Sequence, residues 1–229
     1  MTQKTKNMPQ RNRLILGGII VAAVIVAVIF VVLSSQSSFS ELTTDYSKIT
    51  QARQDDGGFV LGEPDAPITV VAFEDFLCGH CQRYKATTEK FIDQFVATGR
   101  ARFEYRMLPV VHAGYSRLAG QLAECAETLR PGSFWNAHDA LFQIASARSF
   151  SDASSRTFAE MMNMSYTELL ECTQDAVQID KDIQLANQYQ VTGTPTVFVS
   201  YGNGPLQRTR FGQQPNFDQL AILVQEAGG

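Results

Sequence analysis

The chain has 229 residues, which is enough for one domain of ordinary size and some additional segments. It carries 19 basic and 23 acidic residues, a net charge of −4, and this acidic balance argues against nucleic acid as a partner. Its four cysteines could form a redox centre, a metal site or structural disulfides, and their spacing is the evidence that distinguishes these alternatives.

The first 33 residues are typical of a membrane anchor. Residues 1–13 contain four cations and no acid, and residues 14–33 contain neither a charge nor a proline. A helix of that length, at about 1.5 Å per residue, matches a hydrocarbon core of about 30 Å. The positive-inside rule then places residues 1–13 in the cytoplasm. We therefore predict a single-pass transmembrane helix over 14–33 at the cell membrane, with everything after it outside the cytoplasm.

A cleaved secretory signal is the alternative to an anchor. The apolar stretch is longer than the roughly 7–15 residues that are usual in a signal peptide. Residues 34–38 nevertheless offer small side chains that a signal peptidase could accept. Both alternatives export the rest of the chain into a compartment where disulfides persist.

Residues 34–60 predict an extracytoplasmic tether, because they are polar and rich in Ser, Thr, Gln and Asp. A short helix is expected within it, around 40–54. Removing the four N-terminal cations leaves 15 basic residues against 23 acidic ones, so the exported part has a net charge of about −8. The folded domain is predicted over 61–229.

This domain is expected to begin with a strand, a helix and a second strand. A dense turn signal at 62–67 precedes a β-rich run at 68–74. A helical pattern then extends over 82–99, and alternating residues at 102–108 read as the second strand. A βαβ order makes these two strands parallel.

A long helical stretch is predicted over about 112–190, after which the chain returns to β structure. Its expected helices lie at 115–129, 134–145, 165–172 and 175–190, the third with a possible cap at Ser165. Two short strands around a turn at 202–204 predict a hairpin. An amphipathic helix from Phe217 onward ends the domain.

The Cys78-Gly79-His80-Cys81 motif lies where the first strand gives way to the first helix. Two thiols at this spacing can close a small disulfide ring, and a helix N-terminus stabilises a thiolate. The alternatives are a structural disulfide and half of a zinc site, but the other two cysteines form no second pair of this spacing. We therefore predict a redox centre that needs no metal and no cofactor beyond the Cys78–Cys81 disulfide. His80 is expected to favour the Cys78 thiolate, or else to be an exposed histidine with little influence.

Several separated motifs, together with the element order, resemble the DsbA-like thiol:disulfide oxidoreductases of the thioredoxin superfamily. The motifs are Gly-Glu-Pro-Asp-Ala-Pro at 62–67, Phe-Glu-Asp-Phe at 73–76, Glu-Cys-Ala at 124–126, the Phe-Trp-Asn-Ala-His-Asp-Ala-Leu-Phe segment at 134–142 and Gly-Thr-Pro-Thr at 193–196. The resemblance covers residues 60–229. It implies an α/β thioredoxin fold, βαβ–ββα, with a helical insertion over about 112–190.

The resemblance also implies roles for individual residues. Cys78 resembles the exposed nucleophile and Cys81 the buried resolving cysteine, with Gly79 and His80 as the dipeptide that tunes the couple. Pro195, preceded by Thr194, matches the cis-proline loop that faces the disulfide. Backbone groups of Thr194 are expected to pair with an extended substrate strand.

Two departures from the family pattern concern the redox couple. The dipeptide is Gly-His, where the family more often has proline first. Ala72 stands where several relatives carry a carboxylate near the buried cysteine. Glu74 and Asp75 are close in sequence, but strand alternation is expected to point them elsewhere.

Cys125 and Cys172 are predicted to pair with each other, since both lie in the helical insertion and an exported chain with an even number of cysteines is expected to pair them. Such a bond would be structural. A second redox relay is the alternative.

These observations predict an extracytoplasmic oxidase that donates its Cys78–Cys81 disulfide to reduced or unfolded exported proteins. A membrane redox partner would reoxidise it. A disulfide reductase or isomerase is the enzymatic alternative, and a non-catalytic, membrane-tethered binding or chaperone module is the alternative from another class.

Overall fold

The computed structural model describes residues 44–147 and 150–228. The predicted transmembrane helix at 14–33 and the segment at 1–13 lie outside these residues. Within the two described stretches, none of the helices has both the length and the apolar character that crossing a membrane requires.

One six-stranded mixed sheet forms the centre of the domain. Its strands in chain order are β1 (Gln51–Arg53), β2 (Phe59–Leu61), β3 (Ile68–Glu74), β4 (Arg102–Met107), β5 (Thr196–Tyr201) and β6 (Gln207–Arg208). They are arranged in the order β1-β2-β4-β3-β5-β6. The predicted pair β3 and β4 is parallel, and all other neighbours are antiparallel. The hairpin predicted around 202–204 is the antiparallel β5–β6 pair.

Seven α-helices surround this sheet in the described part of the chain. They are α1 (Gly79–Phe91), α2 (Tyr115–Leu129), α3 (Phe134–Ala147), α4 (Asp152–Met161), α5 (Tyr166–Cys172), α6 (Gln178–Gln188) and α7 (Phe217–Glu226). Helix α1 continues into a π-helical turn, Ile92–Val96. The cap predicted at Ser165 is present, because its side chain accepts a hydrogen bond from the Glu168 backbone N–H. The βαβ–ββα order, with α2 to α6 inserted, is the one that the resemblance implied.

The central strand β3 is buried along its whole length. Val70 and Ala72 face a core shared with α1 and most of the insertion. Val71 and Phe73 face a smaller core against the other side of the sheet. Since side chains alternate along a strand, Glu74 lies on the same face as Ala72.

The tether predicted over 34–60 is wrong for its described part. Residues 51–53 and 59–61 are strands of the sheet, and within 44–54 the helical part is a single 3-10 turn, Tyr46–Lys48. The Tyr46 side chain is buried, and its hydroxyl donates a hydrogen bond to Asp139 Oδ2 at 2.9 Å. A strand of three residues is too short to show an alternation of apolar and polar side chains. The polar residues around these two strands therefore led to the prediction of a tether.

We expect Tyr46→Phe to lower the free energy of unfolding by about 1.5 kcal/mol, because the buried Asp139 carboxylate would lose a hydrogen bond without gaining water. Urea unfolding followed by circular dichroism measures the loss. Tyr201→Phe is the matched control, since that side chain is exposed and should change stability by less than about 0.5 kcal/mol. An equal effect of both substitutions would contradict a role for Tyr46 in anchoring the N-terminal segment.

Candidate redox site

Asp75 fixes the loop that carries the chain from β3 into α1. Its carboxylate accepts hydrogen bonds from the backbone N–H groups of Leu77 at 2.9 Å, Val110 at 2.9 Å and Val111 at 2.8 Å. Its backbone carbonyl accepts from the N–H of Cys78 at 2.9 Å. Cys78 is thereby held as the N-cap residue of α1, where the free N–H groups of the first helical turn point toward its sulfur.

Cys78 and Cys81 are both free thiols in the structure. Cys78 was expected to be exposed, but only 7% of it is, because the Thr194 loop covers it and its thiol donates to the Thr194 carbonyl at 3.4 Å. Burial raises the pKa of Cys78, but the influence of the Thr194 side chain and of the backbone N–H groups of Cys81 and His80 lowers it by more. The pKa of Cys78 therefore lies below the ordinary thiol value, so a larger fraction of this residue than of an ordinary cysteine is the reactive thiolate at neutral pH.

Cys81 has the opposite electrostatic environment. It is completely buried. Burial raises its pKa far above the ordinary thiol value, and the nearby Glu74 raises it further. At neutral pH Cys81 is a thiol, so a Cys81 thiolate released by any reaction must quickly take up a proton.

The dipeptide between the cysteines contributes through its backbone. Gly79 and His80 are exposed. A methyl group at Gly79 would meet only the Arg83 Nη1 atom, at 3.7 Å, so no steric constraint requires glycine there. The backbone N–H of His80 is one of the groups that lower the pKa of Cys78. An effect of the imidazole itself stays a prediction.

The Thr194–Pro195 loop lies against the two sulfur atoms. The peptide bond between these residues is cis, and Pro195 is buried. The Thr194 hydroxyl oxygen is buried and has no hydrogen-bond partner at bonding distance among the described residues. The Thr194 side chain lowers the pKa of both cysteines, so its unpaired hydroxyl is placed to donate to a thiolate when one forms. The loop and the N-terminus of α1 thus enclose the sulfur pair from two sides.

Glu74 was expected to point away from the face that Ala72 occupies, and this expectation is wrong. Glu74 follows Ala72 by two positions and therefore shares its face, and 2% of it is exposed. Burial, followed by the charge of Cys78, raises the pKa of Glu74 to about 8, whereas the charge of Lys85 lowers it. The two-residue period of the strand was the signal that could have placed this carboxyl beside the cysteines.

An open groove of about 550 Å³ lies beside the motif. Val111, on its wall, is 53% exposed, and the neighbouring Val110 is 47% exposed. The groove is lined mainly by Leu77, Gln82, Val111, His112, Tyr115 and Phe150. These side chains give the cysteines an apolar approach surface.

The other two cysteines are bonded to each other. Cys125 in α2 and Cys172 at the end of α5 form a disulfide with a Cα–Cα distance of 5.8 Å, which joins two helices of the insertion. In the described part of the chain, no cluster of three His, Cys, Asp or Glu side chains could hold a metal ion.

Comparison with protein families and curated proteins gives a consistent result. A family model described as thioredoxin matches residues 54–204. Disulfide bond formation protein D of Bacillus subtilis is 28% identical over 149 residues, which are 62% of this chain and 67% of that protein. The Na(+)/H(+) antiporter NhaA 1 of Salinispora arenicola is 32% identical over 148 residues, which are 63% of this chain. The match spans only 22% of that antiporter.

Solved structures share the architecture. Oxidised BdbD from Bacillus subtilis superimposes with a TM-score of 0.59 at 24% identity, covering 73% of this chain and 91% of that one. The α-DsbA1 protein of Wolbachia pipientis has a TM-score of 0.63 at 20% identity, covering 75% of this chain and 91% of that one. At these identities the likeness establishes the fold.

Proposed function

Since this chain belongs to the thioredoxin family, we propose that it is an extracytoplasmic thiol:disulfide oxidoreductase, and specifically an oxidase that donates the Cys78–Cys81 disulfide to exported proteins. The observation that carries the proposal is the contrast between the two thiols. The pKa of Cys78 lies below the ordinary thiol value, and that of Cys81 lies above it. Stabilising the Cys78 thiolate stabilises the reduced pair, which makes the oxidised pair a stronger electron acceptor.

The exchange follows from this contrast. A substrate thiolate attacks the sulfur of Cys78, which forms a mixed disulfide and breaks the Cys78–Cys81 bond. Cys81 leaves as a thiolate and takes up a proton. A second substrate thiolate then attacks the substrate sulfur of the mixed disulfide and expels the Cys78 thiolate. Two electrons pass from the substrate to the cysteine pair, and the substrate gains one disulfide.

The proposed substrates are reduced or unfolded exported proteins. The exposed apolar groove beside the motif suits unfolded chains, and backbone groups of Thr194 could pair with an extended segment of any sequence. The name of the Bacillus relative, disulfide bond formation protein D, agrees with this substrate class.

In this proposal residues 14–33 hold the domain at the outer surface of the cell membrane. A membrane redox partner accepts the two electrons and restores the Cys78–Cys81 disulfide. The proposed sequence of steps requires no metal and no cofactor beyond that disulfide.

Equilibration with glutathione buffers measures the direction of electron flow. We expect a reduction potential above about −180 mV, toward the value of about −120 mV of a strong oxidant. A potential near about −270 mV would instead favour the reductase. Gel-shift alkylation of freshly isolated protein should find the pair oxidised, and a pair kept as dithiol would contradict the oxidase.

A further inference from the structure

Helix α1 presents basic side chains along its exposed side, beginning at the redox motif. His80, Arg83 and Lys90 are exposed, and their spacing of three and seven residues places them on one side of the helix, which we call the basic face of α1. At about 1.5 Å per residue this face is about 15 Å long. Glu89 is the acidic residue of this helix, and its carboxylate pairs with the half-buried Lys85. The acid of α1 therefore does not neutralise the basic face.

Arg83 is the permanent cation of this face that lies next to the motif. A Cβ atom added at Gly79 would come 3.7 Å from Arg83 Nη1, so the guanidinium group lies over the first turn of α1. Within the described residues, no carboxylate forms an ion pair with it. Lys90, by contrast, lies 3.8 Å from the centre of the Phe217 ring. Arg83 is thus an exposed and unpaired cation in the turn of helix that follows Cys78.

The charge of Arg83 is not needed to stabilise the Cys78 thiolate. The strongest influences on the pKa of Cys78 are burial, the Thr194 side chain and backbone N–H groups at the start of α1, and Arg83 is not among them. The part of the chain after residue 33 has a net charge of about −8, so its general field repels acidic molecules. The basic face is a local exception to that field, and it lies where a substrate must approach the cysteines.

We propose that Arg83 is a specificity-determining residue, which selects substrate segments that carry carboxylate side chains close to the reacting cysteine. The inference rests on the proposed oxidoreductase function. An extended segment spans about 3.3 Å per residue, so the basic face covers about four or five residues of it. A carboxylate within that reach can form a bidentate pair with the guanidinium group. The exchange itself is unchanged: the substrate loses two electrons and two protons, and the Cys78–Cys81 disulfide gains them.

An anionic lipid surface is the other partner that a basic face could fit. Recognition of that kind takes clusters of about four to eight Lys or Arg side chains, whereas this face has two, Arg83 and Lys90. The face also begins at the motif, so a helix lying on lipid would hinder the approach of a substrate to Cys78. A carboxylate on the substrate fits both the small number of cations and their place beside the motif.

The experiment measures the second-order rate at which the oxidised full chain, in a detergent with an uncharged headgroup, oxidises three reduced peptides. Each peptide has two cysteines, flanked by glutamate, by glutamine or by lysine. Rates are divided by the concentration of substrate thiolate, because neighbouring carboxylates raise the pKa of a thiol. We expect the glutamate peptide to react about fivefold faster than the glutamine peptide at low salt, which is the size of an exposed ion pair. Screening should reduce this preference to about twofold or less in about 0.5 M salt.

Substitutions at position 83 should change the preference and leave the redox couple as it is. With Arg83→Gln the glutamate and glutamine peptides should react at the same rate, and with Arg83→Glu the lysine peptide should become the fastest of the three. The equilibrium constant with glutathione should stay within about twofold in Arg83→Gln, because the groups that act most strongly on the Cys78 thiolate are retained. Lys181→Gln is the matched control, since it removes one exposed cation from α6, whose Ala186 packs on the other side of the sheet.

The outcomes separate this inference from its alternatives. Equal rates for the three peptides with the unchanged protein, or a glutamate preference that survives in Arg83→Gln, would overturn it. Weaker binding of Arg83→Gln to vesicles that contain phosphatidylglycerol, with the peptide preference unchanged, would overturn it in favour of a lipid surface. If the unchanged protein oxidises none of the peptides, the proposed function itself fails.

Discussion

Replacing Cys78 with serine should reduce disulfide exchange to the uncatalysed rate. Replacing Cys81 with serine should leave Cys78 able to form a mixed disulfide with a substrate but unable to complete the exchange. Cys78 is the sulfur with the lowered pKa and the remaining solvent access. Without Cys81 the protein has no disulfide to donate, but the Cys78 thiolate can still attack a substrate disulfide. Because no neighbouring thiol of the protein then releases the bound substrate, Cys81→Ser should accumulate covalent adducts with substrate proteins. Non-reducing gels and refolding of a reduced substrate measure the two outcomes.

Selective alkylation tests the same contrast in the unchanged protein. At mildly acidic pH we expect iodoacetamide to modify Cys78 at least about 100-fold faster than Cys81, because the thiolate fractions differ by two or more orders of magnitude. Mass spectrometry of the reduced protein assigns the modified cysteine. Equal labelling of both, or full activity of Cys78→Ser, would favour a binding or chaperone module with a structural disulfide.

The matched control for the catalytic pair is the double substitution of Cys125 and Cys172 by serine. Their disulfide closes a loop of 47 residues in sequence separation, so its loss should lower stability by about 4 kcal/mol on the chain-entropy argument. Exchange activity below the unfolding temperature should remain. Loss of activity in the folded double variant would instead identify this pair as the redox relay that the sequence left open.

The sequence predicted those parts of the fold that have a clear period. The apolar run that became β3 and the alternating run that became β4 were located closely, and the βαβ order gave their parallel pairing. Strands β1 and β2 were missed because three residues cannot establish a period among polar neighbours. Their place in the sheet depends on pairing with β4, which is a long-range interaction that no local pattern contains.

The redox site was predictable to a different degree for different residues. The spacing of Cys78 and Cys81 predicts a redox pair from the sequence alone, whereas the Thr194–Pro195 loop is predicted only by resemblance to a family. The position of Glu74 was also predictable, because strand alternation places residues 72 and 74 on the same face of the sheet. The contacts of Tyr46 and Lys85 with Asp139 were not predictable, since these residues meet only through the packing of three distant segments.

Replacing Glu74 with glutamine should stabilise the protein in alkaline solution. The pKa of Glu74 in the folded protein is about 8, above its ordinary value of 4.5, so the folded state holds this proton more tightly than the unfolded chain does. Stability must therefore fall as the pH rises from about 4.5 to about 8 and then stay low. The difference between these two pKa values corresponds to a cost on the order of 5 kcal/mol above that range, which glutamine would remove.

Urea unfolding of the reduced protein at a series of pH values measures this effect. The difference between Glu74→Gln and the unchanged protein should be small near about pH 4 and reach several kcal/mol near about pH 9. Comparing the two proteins at each pH cancels the contribution of the Cys78 thiolate to first order. A difference that does not grow with pH would show that Glu74 is not a proton-holding group in the folded protein.

The adjacent Asp75 is the matched control, because it is equally buried and its carboxylate accepts three backbone hydrogen bonds. Asp75→Asn should therefore lower the free energy of unfolding by about 2 kcal/mol or more at neutral pH, since at least one N–H group would face an amide NH₂. Two neighbouring carboxyls would thus respond to neutralisation with opposite signs. That result would distinguish the two acids by role. Asp75 stabilises the loop, whereas Glu74 lowers the stability of the protein and is retained beside the thiols for function.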